Sequence, residues 1–180
     1  MRYASIRSLD ISNGEGVGVS LFVQGCDRHC FNCFNSETWD FNGGKEWTEE
    51  AKNKFMELID RPYIRRISVL GGEPLAEQNL DEVLSLIKEI RISYPEKAIW
   101  LYTGYELSEI IKQEQYEKVS GIPNIWSKRW DIIKLVNILV DGEYIDEQRD
   151  LTKKWAGSSN QCVIDIQKSL AQHKMVLYCD

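Results

Sequence analysis

The sequence predicts an α/β fold: an incomplete, laterally open barrel of the (β/α)6 type with mostly parallel strands, as one domain over residues 1–180. Three observations lead there. Short β-branched and aromatic runs alternate with stretches of helical period, the pattern of right-handed βαβ units. At roughly 30 residues per unit, a chain of this length holds about six, short of the eight that close a barrel of about 250 residues. Finally, the unusual motifs each follow an apolar run directly: CDRHCFNC, GGEP, TGY and DG. In such sheets ligands bind at the carboxyl ends of the strands, so four motifs placed there define one candidate active site.

The elements follow in order. VGVSLFVQ (17–24) reads as a buried strand that stops at Gly25, with the first cysteine next in line. After a polar loop at 41–45, Thr48 with Glu49 and Glu50 opens an amphipathic helix carrying Ala51, Phe55, Leu58 and Ile59. Residues 67–70 form a second strand, ended by GGEP, and 79–93 a helix with Leu80, Val83, Leu84, Ile87 and Ile90 on one stripe. AIWLYT (98–103) is a third strand. Residues 107–119 are helical but broken, and 121–130, with Gly121, Pro123 and two tryptophans, read as an irregular connection. Residues 136–140 supply a fourth strand ending in Asp141 and Gly142, and the charged run 143–154 reads as a solvated loop. Apolar runs at 162–166 and 175–178, with a short helical turn between them, complete the chain.

Composition narrows the function classes. With 180 residues, 43% of them hydrophobic, the chain buries one substantial core. A formal net charge of −6 argues against broad attraction to nucleic acid or anionic lipid, although Arg61 to Arg66 and Lys128 with Arg129 could form local basic patches. No stretch has signal-peptide character or the roughly 18 apolar residues of a membrane span. A cytoplasmic protein is expected, without nucleic-acid or membrane partners. In that reducing compartment clustered thiols point to metal or redox chemistry rather than disulfides.

Cys26, Cys30 and Cys33 form C-x3-C-x2-C, which lets one loop wrap three thiolates around a cluster. A [4Fe-4S] cubane normally takes four protein thiolates; three leave one iron free to bind substrate. A structural zinc site is the alternative, with His29 completing a Cys3His set, although His29 and Cys30 are adjacent and awkward for one tetrahedral ion. Cys162, in an apolar run, reads as a core residue, and Cys179 as a terminal one. Gly71 and Gly72 allow close backbone approach to a ligand, Glu73 offers a carboxylate and Pro74 stiffens the turn; an ordinary strand-ending turn would use the same residues. Thr103 and Asp141 end strands on the same expected face, suited to hydrogen-bonding a ligand or to capping.

The cysteine loop after a first strand with GGEP after a second resembles the radical S-adenosylmethionine (SAM) superfamily. CFNSETWD (33–40) is similar to the region after the cluster in activating enzymes of glycyl-radical proteins. DISNGEGVGVSLFVQGC, LGGEPL, IWLYTGY, ILVDGEY and AGSSNQCVID together resemble, along nearly the whole chain, the family that activates anaerobic ribonucleoside-triphosphate reductase. The resemblance implies a [4Fe-4S] cluster on Cys26, Cys30 and Cys33, and SAM bound by the open iron with Gly71, Gly72, Glu73, Thr103 and Asp141. It further implies reductive SAM cleavage to methionine and a 5'-deoxyadenosyl radical, and a glycyl radical made on the large subunit of the reductase. A low-potential carrier such as flavodoxin would donate the electron. An activator of pyruvate formate-lyase or of another glycyl-radical enzyme is the neighbouring reading, and a zinc-binding interaction module the distant one. Residues 157–161 match the family's late motif and would suit SAM, the partner's glycine loop or a capping turn. Two positions depart from the pattern: Asn32 stands where members often carry an aromatic residue near the adenine, and Cys162 where a basic residue often follows the glutamine.

Overall fold

A computed structural model describes residues 1–121 and 125–179. Its strands are β1 (Arg2–Asp10), β2 (Gly18–Val23), β3 (Lys45–Glu46), β4 (Arg66–Gly71), β5 (Ala98–Tyr102), β6 (Ile138–Asp141), β7 (Cys162–Asp165) and β8 (Leu177–Cys179). Its helices are α1 (Glu49–Ile59), α2 (Leu80–Ser93), α3 (Leu107–Ser120), α4 (Ile125–Leu135) and α5 (Ile166–Gln172). All eight strands join one sheet in the order β3-β1-β2-β4-β5-β6-β7-β8.

This overturns the expected (β/α)6 barrel. The sheet is open, with β3 and β8 at its edges, and parallel pairing is confined to β2, β4, β5 and β6. β1 pairs antiparallel with β2 and β3, β7 with β6, and β8 with β7. The cause lies in the connections, because a parallel neighbour needs a crossover of a dozen or more residues, usually helical. α1, α2 and the α3–α4 pair provide three such crossovers. The segment between β6 and β7 contains only a 3-10 turn at Asp146–Gln148, and β7 leads to β8 through the seven-residue α5, so both of these strands return antiparallel.

Strand periodicity sorts the side chains. Val19, Leu21 and Val23, Ile67 and Val69, Ile99 and Leu101, Leu139 and Ile164 all face the helices. There they meet Phe55 of α1, Val83 and Ile87 of α2, Ile110 of α3, Ile133 of α4 and Ile166 of α5 in one core. Each such burial contributes about 1.5–3 kcal/mol. The alternate residues face the other way, where no helix packs. Trp100, Ile138, Val140 and Val163 form a second, smaller cluster with Trp155 and Tyr178. The sheet curls enough for Tyr178 of β8 to lie 5.3 Å from Trp100 of β5 and to donate its hydroxyl proton to Glu15, in the β1–β2 connection.

Local signals explain most boundaries. Thr48 accepts from the Ala51 N–H at 3.2 Å and caps α1, and Gly121, at φ +68°, ends α3 in the left-handed conformation. α3 runs unbroken, contrary to the expectation of a break. The expected irregular stretch at 121–130 is corrected as well: residues 122–124 lie outside the described residues, but α4 begins at Ile125. Its first turn is capped from α3, where buried Glu117 accepts from the N–H groups of Trp126 (3.0 Å) and Ser127 (2.8 Å). The two local basic patches that the sequence allows each lose a member to the interior. Arg66 is fully buried, paired with Asp10 at 3.0 Å, and Arg129 is buried against Tyr105 and Trp126. No described helix is long and apolar enough to cross a membrane.

Candidate functional site

A cavity of about 560 Å³ runs over the helix-free face to the carboxyl ends of β2, β4, β5 and β6, floored by Phe22, Leu70, Tyr102 and Val140. Cys26, Cys30 and Cys33 line it, as do Gly71, Gly72, Glu73 and Thr103. Asp141, His29, Cys162 and Cys179 do not. Of the residues expected at the site, the structure therefore brings together all but Asp141.

The cysteine loop is fixed at its base by backbone geometry. Gly25 takes φ +96°, and a Cβ there would lie 2.1 Å from the Phe41 ring, so only glycine turns the chain here. The Gly25 and Cys26 N–H groups donate to the carbonyls of Thr38 (2.8 Å) and Trp39 (3.0 Å). Further along, the Cys33 N–H donates to the Cys30 carbonyl at 3.1 Å, and the Asn35 N–H reaches Cys33 Sγ at 3.4 Å. Burial pushes the Cys26 thiol up to about 11 and raises Cys30 as well, so loading metal here must displace protons.

The GGEP turn is stitched to that loop. Gly72 N–H donates to the Val23 carbonyl (2.9 Å) and Glu73 N–H to the Gly25 carbonyl (2.8 Å). A Cβ on Gly72 would sit 2.4 Å from the Gly25 oxygen, which explains the second glycine. Asn79, just before α2, is buried and donates to the carbonyls of both Gln24 (3.1 Å) and Glu73 (3.0 Å), tying the two motifs together. In sequence it reads only as the start of a helix; nothing local marks this second role.

Glu73 is 1% exposed. Oε1 accepts from the Leu75 N–H and the Thr103 hydroxyl, both at 2.8 Å, and Oε2 from the Gly104 N–H at 2.7 Å. Burial pushes its carboxyl up, while those three donors and the nearby Arg28 pull the other way. Glu73 and Thr103 thus hold the second and third motif loops to each other while facing the cavity. Asp141 acts likewise one strand over, accepting from the N–H groups of Leu107 (2.8 Å), which opens α3, and Cys162 (3.3 Å).

Arg28 is a cavity residue that the cysteine spacing did not single out. Its guanidinium lies 3.7 Å from the Tyr105 ring centroid and pairs with Glu143 at 3.6 Å, and its Nε is buried with no partner among the described residues. Trp39 Nε1 and the Tyr102 hydroxyl are further buried donors on cavity residues with no partner among the described residues.

Three thiols, with unpartnered donors on the lining residues Arg28, Trp39 and Tyr102, suit an anionic sulfur-rich group. Among the described residues no three of His, Cys, Asp and Glu converge to hold a single metal ion. A cubane asks for something different, since each ligated iron takes its own thiolate. His29 turns its ring onto Trp39, with centroids 4.7 Å apart, rather than toward the thiols.

Comparison with known proteins adds the lineage. A family described as 4Fe-4S single cluster domain matches residues 12–164. The anaerobic ribonucleoside-triphosphate reductase-activating protein of Salmonella typhi is 36% identical over 91% of this chain and 97% of its own length. Its namesake in Escherichia coli K12 is 34% identical over the same shares, and that of Enterobacteria phage T4 is 34% identical over 89% of this chain and 92% of its own. The chain therefore belongs to the family of anaerobic ribonucleoside-triphosphate reductase-activating proteins and contains a 4Fe-4S single cluster domain.

Proposed function

We propose that Cys26, Cys30 and Cys33 hold a [4Fe-4S] cluster, that SAM binds beside Gly71, Gly72 and Glu73, and that the chain thereby installs a glycyl radical on the large subunit of anaerobic ribonucleoside-triphosphate reductase. The observation that carries this reading is the convergence of three thiols, and no fourth among the described cysteines, with the GGE turn on one cavity. When bound, the cluster supplies a low-potential electron for cleaving the SAM sulfonium, within a range that reaches about −700 mV.

The chain's own residues do the rest. Gly71 and Gly72 present backbone without side chains, and Glu73 with Thr103 keeps that turn rigid against β5. The Asn35 N–H donates to Cys33 Sγ and would tune the centre that this sulfur holds. The unpartnered Arg28 Nε and Trp39 Nε1 offer hydrogen bonds to an anion. Phe22, Leu70 and Val140 give the cavity floor apolar side chains beside the Tyr102 hydroxyl, which would limit water next to a reactive species. Asp141 supports the site at one remove, by fixing the start of α3. A flavodoxin-like carrier in the cytoplasm suits the potential required.

Anaerobic reconstitution tests the reading. About four irons with matching sulfide are expected per chain, lost in Cys30→Ala and kept in Cys162→Ala. With reductase carrying α-deuterated glycine, deuterium should appear in 5'-deoxyadenosine alongside a glycyl radical signal on the partner. Normal iron in Cys30→Ala would remove the cluster assignment; unlabelled nucleoside with a radical-free partner would remove the substrate.

A further inference from the structure

Residues 142–161 form a strap along the cavity: the charged run at 143–154 is largely exposed, as expected, but Tyr144, Leu151, Trp155, Gly157 and Gln161 turn to the cavity. The strap grips the cysteine loop. Asn32 Nδ2 donates to Asp146 at 2.9 Å, Tyr144 packs on Phe34 at 5.0 Å between ring centroids, and a Cβ on Gly157 would come within 3.0 Å of Phe34. Leu151 and Trp155 line the cavity from the same strap.

The ends of the strap are neighbours through the pairing of Asp141 with Cys162, and one side chain ties its Gly157–Ser158 turn to them. Gln161 Oε1 accepts from the N–H groups of Gly157 (2.8 Å) and Ser158 (3.2 Å), while its Nε2 donates to the Gly142 carbonyl (2.9 Å). Asn160 adds a second tie, from Nδ2 to the Glu143 carbonyl at 2.8 Å. A primary amide is the side chain that fits, because the clasp needs an acceptor and a donor on the same carbon.

We propose that Gln161 is a positioning residue: by tying the Gly157–Ser158 turn to Gly142 it fixes the part of the cavity wall that the strap supplies, and so sets the fraction of SAM cleavage that ends as a radical on the partner. The proposal rests on the function argued above. In the coupled reaction one electron and one SAM give methionine and 5'-deoxyadenosine, whose new C–H bond takes the hydrogen atom lost by the partner's glycine. In the uncoupled reaction a thiol or another C–H donor supplies that atom, and no glycyl radical is formed. Proximity decides between these, and a wall free to move loosens it.

The test compares wild type with Gln161→Ala and Gln161→Glu in two assays. Hydrogen exchange on the unloaded chain, without SAM, follows peptides covering Gly157 and Ser158. Loss of their acceptor in Gln161→Ala should speed exchange about tenfold, whereas Gln161→Glu keeps the acceptor and should retain protection there. The second assay counts glycyl radicals per 5'-deoxyadenosine, using reductase, SAM and dithionite. Because both products come from one sample, a smaller folded or loaded fraction leaves the ratio alone, and a merely structural role would not move it. The ratio should fall several-fold in Gln161→Ala and also, by less, in Gln161→Glu, which keeps the acceptor for Gly157 and Ser158 but sets a carboxylate oxygen against the Gly142 carbonyl. A wild-type ratio in Gln161→Ala, with or without faster exchange, overturns the proposal. A wild-type chain that makes no 5'-deoxyadenosine would instead sink the functional reading, and this proposal with it.

Discussion

Replacing Glu73 by alanine should unfold more than it unbinds. The carboxylate, 1% exposed at the cavity edge, accepts from the Leu75 and Gly104 N–H groups and from the Thr103 hydroxyl. Truncation strands two backbone donors that make no other hydrogen bond among the described residues. Each buried donor left unpaired costs about 1–3 kcal/mol, so the loss comes to roughly 2–6 kcal/mol, set against a typical total of about 5–15 kcal/mol. Thr103 is less affected, since its oxygen still accepts from the Tyr105 N–H. Glu73→Gln should lie between: one amide oxygen can serve Leu75 and Thr103, but the amide NH2 then faces the Gly104 N–H, donor against donor, at about 1–3 kcal/mol. Urea unfolding of the unloaded proteins under reducing conditions gives the three stabilities directly, and SAM binding to the loaded proteins gives the rest. The expected order is wild type, then glutamine, then alanine. An alanine variant as stable as wild type that only weakens SAM binding would refute the reasoning, because the carboxylate would then serve the ligand and not the scaffold.

Gly72→Ala should be worse tolerated than a surface glycine substitution. Its Cβ would meet the Gly25 carbonyl, a backbone atom that cannot rotate away, and overpacking of that kind costs about 1–3 kcal/mol or more; iron uptake should fall along with thermal stability. Asp10→Asn should cost about 3–5 kcal/mol by leaving Arg66 a buried charge without its counter-ion. Burial raises the Asp10 carboxyl, but hydrogen bonds from Asn13 and Arg66 outweigh it and hold the group below its ordinary range. Its stabilisation is therefore present above the unfolded carboxylate range and is lost as pH falls through the lower folded value. Unfolding curves from neutral to acid pH should show that loss in wild type and a flatter profile in the variant.

The sequence made the strands that carry the site legible because β2, β4, β5 and β6 are buried on both faces and read as continuous apolar runs. The motifs that end them did converge, as the cavity shows. What stayed illegible was set by partners distant in the chain. β1 is mostly half-exposed, so RYASIRSLD shows no clean alternation. α4 owes its start to Glu117 on another helix rather than to a cap of its own. The charged run at 143–154 is largely exposed, but its share in the cavity wall did not show because its tethers, Asn32 and Gln161, lie outside it. Counting units failed for a related reason: apolar runs at 162–166 and 175–178 reveal strands but not their direction, which the missing crossovers decide.

The seam between the cysteine loop and the GGEP turn consists of backbone bonds from Gly72 to Val23 and from Glu73 to Gly25, with Asn79 bridging both sides. None of these bonds involves a thiol. Many small metal-binding domains collapse when emptied, because the ion is their core; here the hydrophobic core lies on the far side of the sheet. Damage by oxygen would thus strip the contents and spare the vessel, leaving a chain that can be refilled without being made again.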